Sequence, residues 1–267
     1  MVYTYFAVSP FTRDDIPTAL RSYVPPGAAL TYPPQGMTSE VAFVDGDTRC
    51  ILKRCQDPIY LEWLSREHRV LRALASTGLP IPRVLNYAEL DRAGRHEAWL
   101  VMSHLDGRSL WNEILQANPK QRAGLLRQVG ELLKRLHATP VPGVLAAESP
   151  WVDRKLAKAR ENLAWCDGTA ELLADLHRRR LQPVPEVLIH GDLALDNVLI
   201  TSDGAMSLID WSAGDEGDPR CDLALALQTE PEIRLSDVEL TAFFEGYGTA
   251  PIDRITRRWF EDLYEFF

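Results

Sequence analysis

Hydrophobic and polar positions follow two different periods along the chain. Residues 40–44 and 48–53 are apolar-rich runs joined by the Asp-Gly-Asp around Gly46, a pattern that predicts a β-hairpin. From Pro58 the spacing lengthens. IYLEWLSREHRVLRALAST carries Trp63, Leu64, Val70, Leu71 and Leu74 at i, i+3, i+4 intervals, which predicts a helix that stops at Gly78 before LPIP. Residues 83–89 and 98–102 read as two further strands. Past Asp106-Gly107 helical spacing takes over, in 121–137 (QRAGLLRQVGELLKRLH) and again in 155–181. The stretch 187–200, VLIHGDLALDNVLI, returns to two buried runs; a second hairpin turns on SDG at 202–204, and helices carry the chain to its end. The expected organisation is α+β: a small β-rich part (1–102), a short connector (103–107) and a larger helical part (108–267).

Length and composition change this picture little. A chain of 267 residues can form two lobes with a core each. No apolar run reaches the ~18 residues of a membrane span, and MVYTYFAVSP lacks the basic start of a signal peptide. Cys50, Cys55, Cys166 and Cys221 are scattered without CxxC spacing, which favours buried free thiols over a disulfide or zinc site. A cytoplasmic protein is expected, with no membrane partner.

Charge does change it. The net charge of −9 is unevenly spread: residues 188–267 hold 17 acids against 5 bases. Either this is a solvated acidic face, or the C-terminal part handles cations, as metal ions or an amine-bearing substrate. No basic stripe interleaves with aromatics, so nucleic acid is not an expected partner.

The candidate chemistry lies in 187–200. A plain hairpin would join two strands through Asn-Gly or Asp-Gly; here His190, Asp192, Asp196 and Asn197 stand between them. Eighteen residues beyond Asp192, SLIDW places Asp210 at the end of an apolar run, where a carboxylate needs a partner or a metal. Two neighbouring strands would carry Asp192, Asn197 and Asp210 to one mouth. Phosphoryl transfer needs such a set: a carboxylate to take a hydroxyl proton, and an amide and a carboxylate to hold magnesium. Upstream, Lys53 ends the strand of CILKRC, and Glu67 falls within the apolar stripe of the next helix while Glu62 falls off it. A glutamate on a buried face wants a cation, and Lys53 is the natural one.

HGDLALDN followed by IDW resembles the catalytic and metal segments of the aminoglycoside phosphotransferase and choline kinase family, relatives of protein kinases. The likeness implies a two-lobed, protein-kinase-like fold and transfer of the γ-phosphate of ATP, or GTP, to a small-molecule hydroxyl. It implies Asp192 as catalytic base, Asn197 and Asp210 as ligands of Mg2+, and Lys53 on the phosphates with Glu67 holding it. QGMTSEVAFV resembles the phosphate-covering loop, with Gly36, Thr38 and Ser39 in contact with nucleotide. WLVMSHLDGRSL resembles the adenine-binding strand and connector, through backbone groups of Ser103 and Leu105. Within GDPRCDLA, Asp222 is implied as an anchor of the catalytic loop, and His190 as a support for that loop rather than a base.

The close of the chain, YGTAPIDRITRRWFEDLYEFF, is similar to that of the aminoglycoside 3′-phosphotransferases. Glu265 and Phe267 match substrate-binding positions there, and Tyr264 replaces an aspartate. Residues 153–181 depart from that family, with 5 acids and 7 bases where an acidic substrate loop is expected. The expected acceptor is an aminoglycoside-like antibiotic. The alternatives are another small alcohol or sugar (macrolide, choline-like, homoserine-like or fructosamine-like), or a nucleotide-binding module without turnover. A monomer or weak homodimer is expected.

Overall fold

Alternating burial in the first third builds an antiparallel sheet. Its strands are β1 (Ala29–Thr31), β2 (Glu40–Asp45), β3 (Cys50–Cys55), β4 (Val84–Arg92) and β5 (Arg95–Ser103), in the order β1-β2-β3-β5-β4. The computed structural model describes residues 10–33, 38–46, 48–228 and 234–267. On one face Ala42, Val44, Cys50, Leu52, Trp99 and Val101 pack against Phe11, Ile16, Leu20 and Val24. Because side chains alternate along a strand, Lys53 takes the other face, between Val41 and Leu100 in register. That face meets α1 (Leu61–Leu74), whose buried positions Leu64, Glu67, Val70, Leu71 and Leu74 recur at helical intervals.

The β4–β5 hairpin runs further than its apolar core, through polar residues to a two-residue turn at Ala93-Gly94. Both turn residues have positive φ, 51° and 77°, so this is the tight turn whose twist suits a hairpin. An alanine in that position hides the signal that Asn-Gly would have given.

Two compact units divide the chain. One runs to Asp106 and takes in Asp210–Ala213; the other comprises Gly107–Ile209 and Gly214–Phe267. The second is mainly helical: α2 (Leu110–Gln116), α3 (Pro119–His137), α4 (Trp151–Asn162), α5 (Ala170–Arg178), α6 (Pro219–Ala226), α7 (Asp237–Tyr247) and α8 (Arg254–Tyr264). Asn118 and Gln121 cap each other's backbone at the start of α3. α3 and α7 approach closely through two glycines. A Cβ on Gly130 would stand 2.1 Å from the Phe243 carbonyl oxygen, and one on Gly246 2.1 Å from that of Arg127. Trp151, Leu176, Ile189, Leu225, Trp259 and Phe260 lie in one buried cluster of this unit.

Two sequence expectations are corrected here. The helical spacing over 155–181 is not one helix; it spans the end of α4 and all of α5. Between them Gly168 closes under the Phe266 ring and Thr169 caps α5, accepting from Leu172 N at 3.1 Å. The two buried runs of 187–200 do not pair with each other either. β7 (Val187–Ile189) pairs with β10 (Asp215–Gly217), whereas β8 (Val198–Ile200) lies between β6 (Arg108–Ser109) and β9 (Met206–Leu208). Cys50, Cys55 and Cys221 are buried free thiols, while Cys166 is only half-buried. No helix of the described residues is long and apolar enough to cross a membrane.

Candidate active site

In the first unit, α1 and the sheet bring three charged groups together. Lys53 Nζ lies 2.9 Å from each Glu67 carboxylate oxygen and 2.6 Å from Asp210 Oδ1. Lys53 and Glu67 side chains are 11% and 3% exposed, Asp210 48%. Burial alone would press the ammonium towards its neutral form, but the Asp210 and Glu67 carboxylates outweigh it and raise its pKa. Burial likewise pushes the Glu67 carboxyl up, against the pull of Lys53 and of the Trp211 backbone N–H.

Asp210 stands apart from the sequence reading. β9 ends at Leu208, so Asp210 lies beyond the strand; it is half-exposed and has φ 65°. A non-glycine residue in the left-handed region is uncommon and marks a local constraint. Here the segment Asp210–Ala213 packs under α1 and feeds both Asp210 and the Trp211 N–H to the Lys53–Glu67 pair.

In the second unit, the loop after β7 turns at Gly191 (φ 79°) and enters a short 3-10 turn, Leu195–Asn197. Asn197 Nδ2 donates to the Asp192 backbone oxygen at 2.8 Å and to Asp192 Oδ2 at 3.2 Å. Its amide nitrogen is thereby directed to Asp192, and its carbonyl oxygen is the atom of this side chain that a hard cation would take. Asp196 accepts from Ser109 Oγ at 2.6 Å.

Asp222, on α6, braces this loop from below. Its two oxygens accept from His190 N and Gly191 N, both at 2.8 Å, and Oδ2 also meets His137 Nε2 at 3.1 Å. Burial works to raise the Asp222 carboxyl, but His137, His190 and these donors hold it below its ordinary value. His190 Nε2 lies 2.8 Å from the Ile209 carbonyl oxygen, which ties the loop to the end of β9. His137 Nδ1 meets the Tyr247 hydroxyl at 2.8 Å.

The remaining expected positions are scattered. Thr38 and Ser39 are half-buried just before β2, while Gly36 lies outside the described residues. The Ser103 hydroxyl accepts from Arg83 N at 2.9 Å, and Leu105 is half-buried beyond β5. Glu265 is exposed and its carbonyl accepts from Gly168 N at 2.8 Å; the Phe267 ring lies 4.4 Å from Lys155 Nζ. The basic run 178–180 has acidic partners. Arg179 binds Asp175 and Asp262, Arg178 binds Asp175, and Arg180 binds Asp153. Two residues that sequence reasoning left out of the site touch its loop or the loop's anchor: Tyr264, whose hydroxyl donates to Asp192 Oδ1 at 2.7 Å, and His137, which meets Asp222 and in turn Tyr247. Only Tyr264 had carried a signal, as a departure from the resemblance.

A five-stranded antiparallel sheet with one helix packed on it, and a separate helical unit carrying short hairpins, define the protein-kinase-like fold of phosphotransferases. The chain belongs to the APH phosphotransferase enzyme family, whose model matches residues 30–261. It is 28% identical over 227 residues to the aminoglycoside 3′-phosphotransferase of Streptomyces fradiae, covering 78% of this chain and 77% of that protein. It is 30% identical over 182 residues to acyl-CoA dehydrogenase family member 11 of Gallus gallus; the match covers 62% of this chain and 23% of that longer protein. Among solved structures it resembles an aminoglycoside-3′-phosphotransferase of type VIII, with a TM-score of 0.75 and 25% identity over 96% of this chain and 99% of that one.

Proposed function

We propose that the chain transfers the γ-phosphate of ATP to a hydroxyl of an aminoglycoside-like antibiotic, in the manner of a 3′-phosphotransferase. The observation that carries the nucleotide half is Lys53, kept cationic by Glu67 and Asp210. Lys53 would neutralise the α- and β-phosphates. Backbone groups of Gly36, Thr38 and Ser39 would cover the phosphates, and those of Ser103 and Leu105 would hold the base, GTP being an alternative to ATP. Residues 1–102 then serve as the nucleotide-binding part, 103–107 as connector, and 108–267 as the catalytic and substrate-binding part.

Asp192 would orient the acceptor hydroxyl and take its proton. The Asn197 carbonyl oxygen and the Asp210 carboxylate are hard oxygen donors of the kind magnesium takes when it arrives with phosphates. A magnesium ion held by these two residues would supply positive charge to offset that of the phosphates. His190 and Asp222 would hold the loop in place. Glu265 and Phe267 would line the acceptor's side of the site, with the Glu265 carboxylate meeting an ammonium group. The ion pairs of Arg178, Arg179 and Arg180 support this reading, because the basic run is already matched by the chain's own acids.

A second reading, a kinase of a less charged alcohol, is favoured by the neutral Tyr264 hydroxyl beside Asp192. A coupled ADP-release assay over aminoglycosides, macrolides and small alcohols separates the two. Mg·ATP-dependent release with kanamycin or neomycin is the expected result, at least 10²-fold lower in Asp192→Asn. Release with neutral alcohols alone would replace the first reading by the second.

A further inference from the structure

Tyr264 ends α8, and its hydroxyl donates to Asp192 Oδ1 at 2.7 Å while Asn197 Nδ2 holds Oδ2 at 3.2 Å. Each oxygen of one carboxylate thus has its own donor. The helix that carries the tyrosine is itself held. Trp259, Phe260 and Leu263 of α8 are buried, and Asp262 pairs with Arg179 at 2.8 Å. The two residues after Tyr264 are held by their backbone: the Phe266 carbonyl accepts from Asn162 Nδ2, and that of Glu265 from Gly168 N, both at 2.8 Å. Even Gly168 is shaped to this contact, since a Cβ there would come 2.4 Å from the Phe266 ring. The helix end is therefore pinned to α4 and to the turn before α5, and it presents the hydroxyl from a rigid base.

We propose that Tyr264 is a positioning residue for Asp192, an inference that rests on Asp192 being the group that takes the acceptor's proton. An unsupported carboxylate rotates about χ2 and spends little time aimed at a substrate. Donors on both oxygens select one orientation before the acceptor arrives, as the third member of a nucleophile–base–orienter set does. A carboxylate has about four lone-pair positions, so a donor on each oxygen is compatible with an approaching hydroxyl. A tyrosine hydroxyl is a donor that carries no carboxylate, so it fixes the base without placing a second acid beside it.

Tyr264→Phe removes the hydroxyl and keeps the ring. ADP release is measured with kanamycin as acceptor and, in parallel, with water alone as acceptor, so that a turnover is read whatever the preferred alcohol. The expected result is a fall in kcat of about tenfold, the scale of one hydrogen bond to a charged group, with KM for Mg·ATP and the thermal unfolding midpoint unchanged. Added to Asp192→Asn, the same substitution should cost nothing further, because the group it orients is gone. Native kcat in Tyr264→Phe, or a loss that appears in KM for Mg·ATP or in the unfolding midpoint instead, would overturn the inference. Asp192→Asn with native turnover would instead remove Asp192 from its role, which is a different failure.

Discussion

Lys53 carries its charge in a place that would strip it from an isolated ammonium. At 11% exposure it depends on the carboxylates of Glu67 and Asp210, and Glu67 in turn depends on it. Asp222 obeys the same rule with different partners, being buried and yet ionised because two backbone amides and His137 meet its oxygens. Its folded-state pKa is depressed, so its contribution to stability is present above the unfolded value of about 3.9 and is lost as pH falls through the lower folded value. Over that acid window the native chain should lose stability with a steeper slope than Asp222→Asn, by up to about 1.4 kcal/mol per pH unit. Urea unfolding at a series of pH values measures both slopes. Equal slopes would show that Asp222 does not titrate differently in the folded state.

At the scale of elements, helix contacts rest on small residues where backbones meet. Gly130 on α3 and Gly246 on α7 face carbonyl oxygens of the opposing helix, so no side-chain rotation can relieve an added methyl. Gly246→Ala should therefore cost about 1–3 kcal/mol, the usual penalty of overpacking, despite alanine's better helix propensity. Differential scanning calorimetry should register a lower unfolding temperature. An unchanged or raised temperature would mean that α3 and α7 can part without loss. The loop around Gly168 shows the converse: the α4 to α5 break exists because Phe266 fills the space that a side chain would need.

For the whole molecule, Asp210 links local geometry to ligand-dependent stability. The chain returns at Asp210–Ala213 to the unit that holds Lys53. If Asp210 supplies an oxygen anion to magnesium, Mg·ATP at a hundred times its Kd should stabilise the native chain by about 2.7 kcal/mol. For a protein of this size that is a rise of roughly 5–10 °C in unfolding temperature. Thermal shift with and without Mg·ATP should show that rise in the native chain and lose it in Asp210→Ala. A full shift in the variant would take Asp210 out of the metal role.

Local periodicity made much of this protein legible. The alternation of β2 and β3, the buried stripe of α1 and the helical run of α3 arise from strand and helix geometry acting over a few residues, so one-dimensional spacing carries them. The same spacing placed Glu67 rather than Glu62 on the buried face, and HGDLALDN singled out Asp192 and Asn197, which the fold joins by hydrogen bonds. Other features depend on residues far apart in the chain, and only the tertiary structure decided them. β7 and β8 went to different sheets because strand pairing is a choice among distant backbones, which apolar runs do not record. Asp210 left the strand for a left-handed turn, and the basic run at 178–180 found Asp153, Asp175 and Asp262. Tyr264 came to Asp192 across 72 positions, and His137 to Asp222 across 85. Hydrogen bonds of that kind are set by how packed helices place their ends, and no local pattern of polar and apolar residues encodes where an end will fall.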